Sequence, residues 1–178
     1  DMSGSVHVSD ILNRMALPRG IFSGSVHADD AINRVMARGF NQARLTAMTN
    51  IGRVMVINDM VDSLVAAGYD PDAQLGDYAA ALPTVTAHLG NLRVKGVFSG
   101  STIAAGVAPD GEGNFINGQG IAAQGTLGTI NLRNVETNNN ARPFGIVALD
   151  DVDRLLVNSH KVDEAFQQDD FYINILNS

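Results

Sequence analysis

The sequence contains no cysteine, which removes disulfides, thiolate metal sites and thiol nucleophiles together. It has no apolar run long enough to span a bilayer. Positive charge is scarce: 12 Lys and Arg against 19 Asp and Glu leave a formal net charge of −7. Phosphate binding needs basic side chains to displace counterions, so nucleic acid is excluded as a partner and anionic membranes are disfavoured with it. Catalytic signatures are missing as well. There is no P-loop, no dinucleotide fingerprint in a βαβ setting, no His-Glu-x-x-His helix and no Gly-x-Ser-x-Gly elbow. No secretory leader is recognisable, yet the chain opens on Asp1, and the expectation is a mature or excised part of a longer chain.

What the chain does have is repetition. A six-residue signature recurs at Leu12–Leu17, Ile32–Ala37, Ile51–Val56, Leu89–Val94, Leu127–Leu132 and Val152–Val157. Its first position is always aliphatic, and its second is Asn13, Asn33, Gly52, Gly90, Gly128 or Asp153. Gly, Asn and Asp share a tolerance of positive φ, so the expectation is a corner at that position in every copy. Two and four residues beyond it come Met15/Leu17, Val35/Ala37, Val54/Val56, Leu92/Val94, Ile130/Leu132 and Leu155/Val157. Period-two alternation of this kind reads as a strand with one face inward. Gly39, Asn58, Gly96 and Asn134 suggest a second corner. An upstream stretch reads as a second strand, seen in Val6-His7-Val8, Val26-His27-Ala28, Leu45-Thr46-Ala47, Leu64-Val65-Ala66, Thr102-Ile103-Ala104 and Ile146-Val147-Ala148.

The spacings between signatures are 20, 19, 38, 38 and 25 residues. Coils of roughly 19 residues that stack at the inter-strand distance predict an all-β parallel β-helix, a solenoid forming one domain over residues 1–178. A leucine-rich-repeat-like solenoid is the nearest alternative, but its ladder asparagine is replaced by Gly20, Phe40, Asp59, Val97, Val135 and His160. A closed all-β sandwich is the third. The doubled spacings hold two equivalent loop insertions, 69–87 and 107–126, because Ser63–Gly100 aligns without gaps on Ser101–Asn138. The tail, 159–178, reads as a C-terminal cap with a last strand at Phe171–Leu176.

Candidate chemistry concentrates in the insertions. Asp70, Asp72 and Asp77 in the first, with Asp110, Glu112 and Asn114 in the second, set oxygen-bearing side chains close together in Gly/Pro loops. That pattern suits Ca²⁺, a hard cation that collects several oxygens on a flexible loop, although neither segment is a full EF-hand loop. The competing reading is a pair of polar turns. His7 and His27 occupy one slot of successive coils and could share a metal, but Thr46 and Val65 follow in that slot and spacing offers no third ligand. Arg14, Arg34, Arg53 and Arg154 form an outward column, with Asp10, Asp30 and Asp150 four residues before three of them. Such columns belong either to a charge-paired exterior or to a β-helical polysaccharide lyase or hydrolase, for which Asp29, Asp30, Asp150 and Asp151 are the carboxylate candidates. Met36, Met55 and Leu156 make an outward apolar column that needs a cover, either a short helix at Tyr78–Leu82 or a neighbouring subunit.

The stretch from Leu89 to Val157 carries Gly96–Val107, the Pro109-Asp110-Gly111 loop, Leu127–Ile130 and Phe144–Ala148. In these motifs it resembles the β-strand-repeat regions near the C-termini of large secreted proteins of planctomycete-like bacteria. Glu112 and Asn114 stand where that loop tends to carry Asp. The resemblance implies an extracellular or cell-surface location. Together these readings lead to the expectation of a non-catalytic scaffold, adhesion or assembly module, with calcium in its loops. Its partners would be other subunits, neighbouring domains of the same chain or polysaccharide; a subunit of an envelope or filament assembly is a further alternative.

Overall fold

The computed structural model describes residues 1–72, 85–162 and 166–177. It contains β1 (Ser5–Val8), β2 (Met15–Phe22), β3 (Ser25–Ala28), β4 (Ile32–Asn41), β5 (Arg44–Ala47), β6 (Asn50–Val56), β7 (Met60–Val61), β8 (Leu64–Ala67) and β9 (Thr86–Ser99). These are followed by β10 (Thr102–Ala105), β11 (Val107–Ala108), β12 (Gln119–Gly120), β13 (Gln124–Val135), β14 (Phe144–Ala148), β15 (Asp151–Val157), β16 (His160–Lys161), β17 (Gln167–Gln168) and β18 (Phe171–Ile175). No helix occurs among the described residues.

The protein is all-β and built on two largely parallel eight-stranded sheets. The first runs β1-β3-β5-β8-β10-β14-β18-β17, and the second runs β16-β15-β13-β9-β6-β4-β2 with β7 beside β4 and β9. The chain visits the two sheets in turn, and each principal strand pairs with the equivalent strand of the next repeat. In the second sheet the register joins Ile32, Ile51, Leu89, Leu127 and Val152, then Val35, Val54, Leu92, Ile130 and Leu155, then Ala37, Val56, Val94, Leu132 and Val157. All of these are buried in one core, as period-two alternation requires. The first sheet contributes the column Val26, Leu45, Val65, Ile103, Ile146 and Ile173, and beside it Ala28, Ala47, Ala67, Ala105 and Ala148. Alanine there keeps the interior narrow.

A phenylalanine ladder runs through the same core. Phe22 stacks edge-on against Phe40 at 5.3 Å; Phe40 pairs with Met60 and Met60 with Phe98. Phe98, Phe144 and Phe171 then close a cluster with centroids 5.6 to 6.2 Å apart. Edge-to-face rings at these distances add roughly 0.5–1.5 kcal/mol per pair beyond their burial.

The Gly/Asn/Asp column is real but its cause is different from the expected corner. None of Asn13, Asn33, Gly52, Gly90, Gly128 and Asp153 has positive φ, and five of the six lie inside strands of the second sheet, with Asn13 alone outside. The column marks a place where the backbones of successive repeats come close. A Cβ on Gly52 would stand 2.7 Å from the Asn33 carbonyl oxygen, one on Gly90 2.6 Å from that of Gly52, and one on Gly128 closer still to that of Gly90. At the start of the column Asn33 donates through Nδ2 to Asn13 Oδ1 at 2.9 Å. Positive φ recurs instead at an equivalent place in four repeats, at Gln42, Asp62, Gly100 and Asp169, with φ of 53°, 47°, 54° and 49°. Each stands two residues before a first-sheet strand.

Two register details also depart from expectation. Val94 pairs with Leu132 but Val97 pairs with Asn134, so a bulge breaks the gapless match of Ser63–Gly100 on Ser101–Asn138. The outward column of the first sheet reads His7, His27, Thr46, Ala66, Ala104, Val147 and Asn174. Ala66, rather than Val65, follows Thr46. Adjacent alanines at 66 and 67 blur the alternation, because both faces of the sheet are covered there. Phe115 and Ile116 supply that cover, packing with Ala66, Ala104 and Val147.

Changing Gly90 to Ala is expected to lower stability by about 1–3 kcal/mol, since the nearest atom to the new methyl is a fixed carbonyl oxygen. Changing Phe98 to Ala is expected to cost about 3–5 kcal/mol through the cavity left in the ladder. Denaturant unfolding of both variants against the parent measures the two effects.

Candidate functional site

Strands β1 and β3 run parallel with His7 opposite His27, which puts two imidazoles side by side on the outer face of the first sheet. Their centroids are 5.4 Å apart at an interplanar angle of 64°. The chain turns just after β3, and this turn brings Asp29 back over the pair. Asp29 Oδ1 lies 2.5 Å from His7 Nε2 and 3.5 Å from His27 Nε2. Among the described residues, His7, His27 and Asp29 are the one set of three His, Asp or Glu whose ligand atoms lie within 4.8 Å of one another.

The two histidines are held differently. His7 and Asp29 are exposed, whereas His27 is buried at 8% exposure. His27 Nδ1 is 2.8 Å from Thr46 Oγ1, its neighbour in the same column. A hydroxyl at that distance can accept from Nδ1–H, and in that tautomer Nε2 turns its lone pair toward Asp29 and the cleft. Burial lowers the His27 pKa, while the carboxylates of Asp70 and Asp29 oppose the shift. Asp70 reaches the group from the first excursion, 3.9 Å from His27 Nε2. The cleft beside them, about 380 Å³, is lined by Ser25, Arg44, Tyr69, Pro71 and Asp72 as well as by both histidines.

The sequence-derived metal residues divide accordingly. Asp70 and Asp72 lie at the histidine pair, and Asp70 Oδ1 also accepts from the Asp72 amide at 2.9 Å. Asp77 falls outside the described residues, as does the Tyr78–Leu82 segment. In the second loop Asp110 Oδ1 accepts from the amides of Glu112 and Asn114, and Asn114 Oδ1 accepts from that of Ile116. These oxygens serve as turn acceptors.

The remaining columns stay apart. Arg34 pairs with Arg53, but Asn91 and Thr129 separate them from Arg154. The short contacts of His7 and His27 with carboxylates are to Asp29 and Asp70. Asp30 accepts from Thr49 Oγ1, and Asp150 accepts from the Gly125 amide and Asn177 Nδ2. Met36 and Met55 adjoin, while Arg93 and Asn131 intervene before Leu156. His88 Nδ1 lies 2.9 Å from Thr126 Oγ1. Ser101 Oγ donates to the Ser99 carbonyl and accepts from the Ser63 amide.

Sequence spacing revealed the stacked histidines but missed Asp29, which lies two residues past His27 and returns to it only through the turn. No family model, curated protein or solved structure matches this chain.

Replacing Thr46 with Val is expected to cost about 1 kcal/mol, because it keeps the shape and removes the partner of His27 Nδ1. Denaturant unfolding reads the loss, and the His27 ring resonances in NMR should move while those of His160 stay in place.

Proposed function

We propose that the chain is a parallel β-helix of roughly 19-residue coils that serves as a non-catalytic scaffold or assembly module, outside the cell or at its surface. It docks edge-on to a neighbouring subunit or domain, most simply a second copy. The β-helix reading is supported by the in-register parallel columns and by the alternate visits to two sheets. The surface location draws support from the resemblance of the Leu89–Val157 stretch to secreted β-strand-repeat regions.

The observation that carries the assembly reading is the contrast between the two ends of the stack. At the C-terminal end, β16 and β17 add short antiparallel strands, and Val162 and Phe166 pack onto the core. At the other end, residues 1 and 2 bond only to the end of β2, through Ile21 and Ser23. The large hydrophobic side chains that remain exposed among the described residues, Val6, Ile11 and Ile21, are all found at this end. Val6 is 39% exposed although the next member of its column, Val26, is 1% exposed. Met2, Val8, Leu12, Met15 and Leu17 pack on the core there but stay partly exposed, and a strand edge with apolar side chains is a template for another chain or another segment of the same chain.

The polysaccharide-enzyme alternative draws no comparable support, since the Asp30 and Asp150 carboxylates are engaged in local hydrogen bonds and the arginines are split between distant repeats. Sedimentation of the chain is expected to reveal concentration-dependent pairing, weakened by about tenfold or more in Ile21→Lys with an unchanged circular dichroism spectrum. A chain that stays monomeric at high concentration, or pairing indifferent to Ile21→Lys, overturns the proposal.

A further inference from the structure

We propose that His7, His27 and Asp29 form a site for one divalent first-row transition-metal ion, zinc by chemical preference, with three protein ligands and a fourth position open to the cleft. The site does not rest on the assembly reading, although His7 lies on β1, the strand at the proposed docking edge: its three side chains come from the outer face of the first sheet and the turn after β3.

The donor set determines the class of ion. Two imidazole nitrogens and one carboxylate oxygen suit zinc and its first-row neighbours, whereas calcium collects oxygen ligands and gains little from imidazole. Geometry is close to what such an ion needs. Ligands about 2.0–2.2 Å from a tetrahedral centre lie about 3.3 Å from one another, and the Asp29 oxygen is 2.5 Å from one histidine and 3.5 Å from the other. Both His7 and Asp29 are exposed, so the small outward movement that opens the shorter contact meets no packed neighbour in the core. His27, in contrast, is buried and fixed, and Thr46 Oγ1 at its Nδ1 is the outer-shell partner that metal-bound histidines generally have. Asp70, 3.9 Å from the same Nε2, adds negative charge beside the cation without joining the set of three. The cleft of about 380 Å³ admits water or a small ligand to the fourth position. Parallel in-register pairing produces this site with little sequence: a histidine in the same slot of two successive repeats, and an aspartate two residues further along.

The experiment is calorimetric titration of the untagged chain with Zn²⁺ near neutral pH, with the visible spectrum of the Co²⁺ complex as a second readout. One equivalent is expected to bind, and Co²⁺ is expected to develop the intense bands of a four-coordinate centre. His7→Ala and Asp29→Asn, both at exposed positions, should abolish the one-equivalent step while keeping the circular dichroism spectrum of the parent. Thr46→Val should weaken binding by about 10–100-fold. His160→Ala, which removes an exposed histidine elsewhere, should change nothing, and excess Ca²⁺ should not displace the ion. The proposal is overturned if no one-equivalent step appears, if it survives both His7→Ala and Asp29→Asn, if it disappears in His160→Ala, or if Ca²⁺ displaces it.

Discussion

In-register parallel pairing between successive repeats is the constraint from which the rest of this structure follows. A strand paired this way puts like position over like position, so each residue faces the same kind of neighbour above and below. Aliphatic columns then fill the core, an alanine column sets its width, and phenylalanines form a ladder within it. The same pairing also exposes every error. A side chain too large for its slot meets a neighbouring backbone, and this is why Gly52, Gly90 and Gly128 lie directly against carbonyl oxygens.

The two sheets use this constraint differently. The second sheet presents one inward face and a mixed exterior of arginine, asparagine and methionine, and alternation is clear along its strands. The first sheet is covered on both faces over its central repeats, with Phe115 and Ile116 lying on Ala66, Ala104 and Val147. The two excursions touch where the Tyr69 and Phe115 rings meet at 5.1 Å. Toward β1 this cover gives way to polar residues, and the column of alanines is continued by Thr46, His27 and His7. The polar cluster thus occupies the part of the sheet that the second excursion does not reach.

This division explains what could be read from sequence. The inward columns of the second sheet were legible residue by residue, because one-sided burial imposes strict period two. Ala66 was assigned one residue out, because burial on both faces leaves adjacent alanines with no polar residue to mark the exterior. The phenylalanine ladder was hidden by irregular spacing: bulges between Leu17 and Ile21 and between Leu132 and Asn134 shift the register just before the aromatic positions. The Gly/Asn/Asp column was visible as a pattern, yet small size and positive φ select the same residues, and only coordinates tell them apart. At the histidine pair, register was readable but the approach of Asp29 and Asp70 was not. Those approaches depend on the path of a turn and of an excursion, and non-local packing determines both.

Unequal ends have a consequence for symmetry. A stack with two open ends can add subunits head to tail without limit, since each addition regenerates the surface it used. Here β16 and β17 close one end, and the exposed side chains of Val6, Ile11 and Ile21 lie at the other. If identical copies meet through that single surface, as proposed above, they pair about a twofold axis and leave the end bearing β16 and β17 outermost.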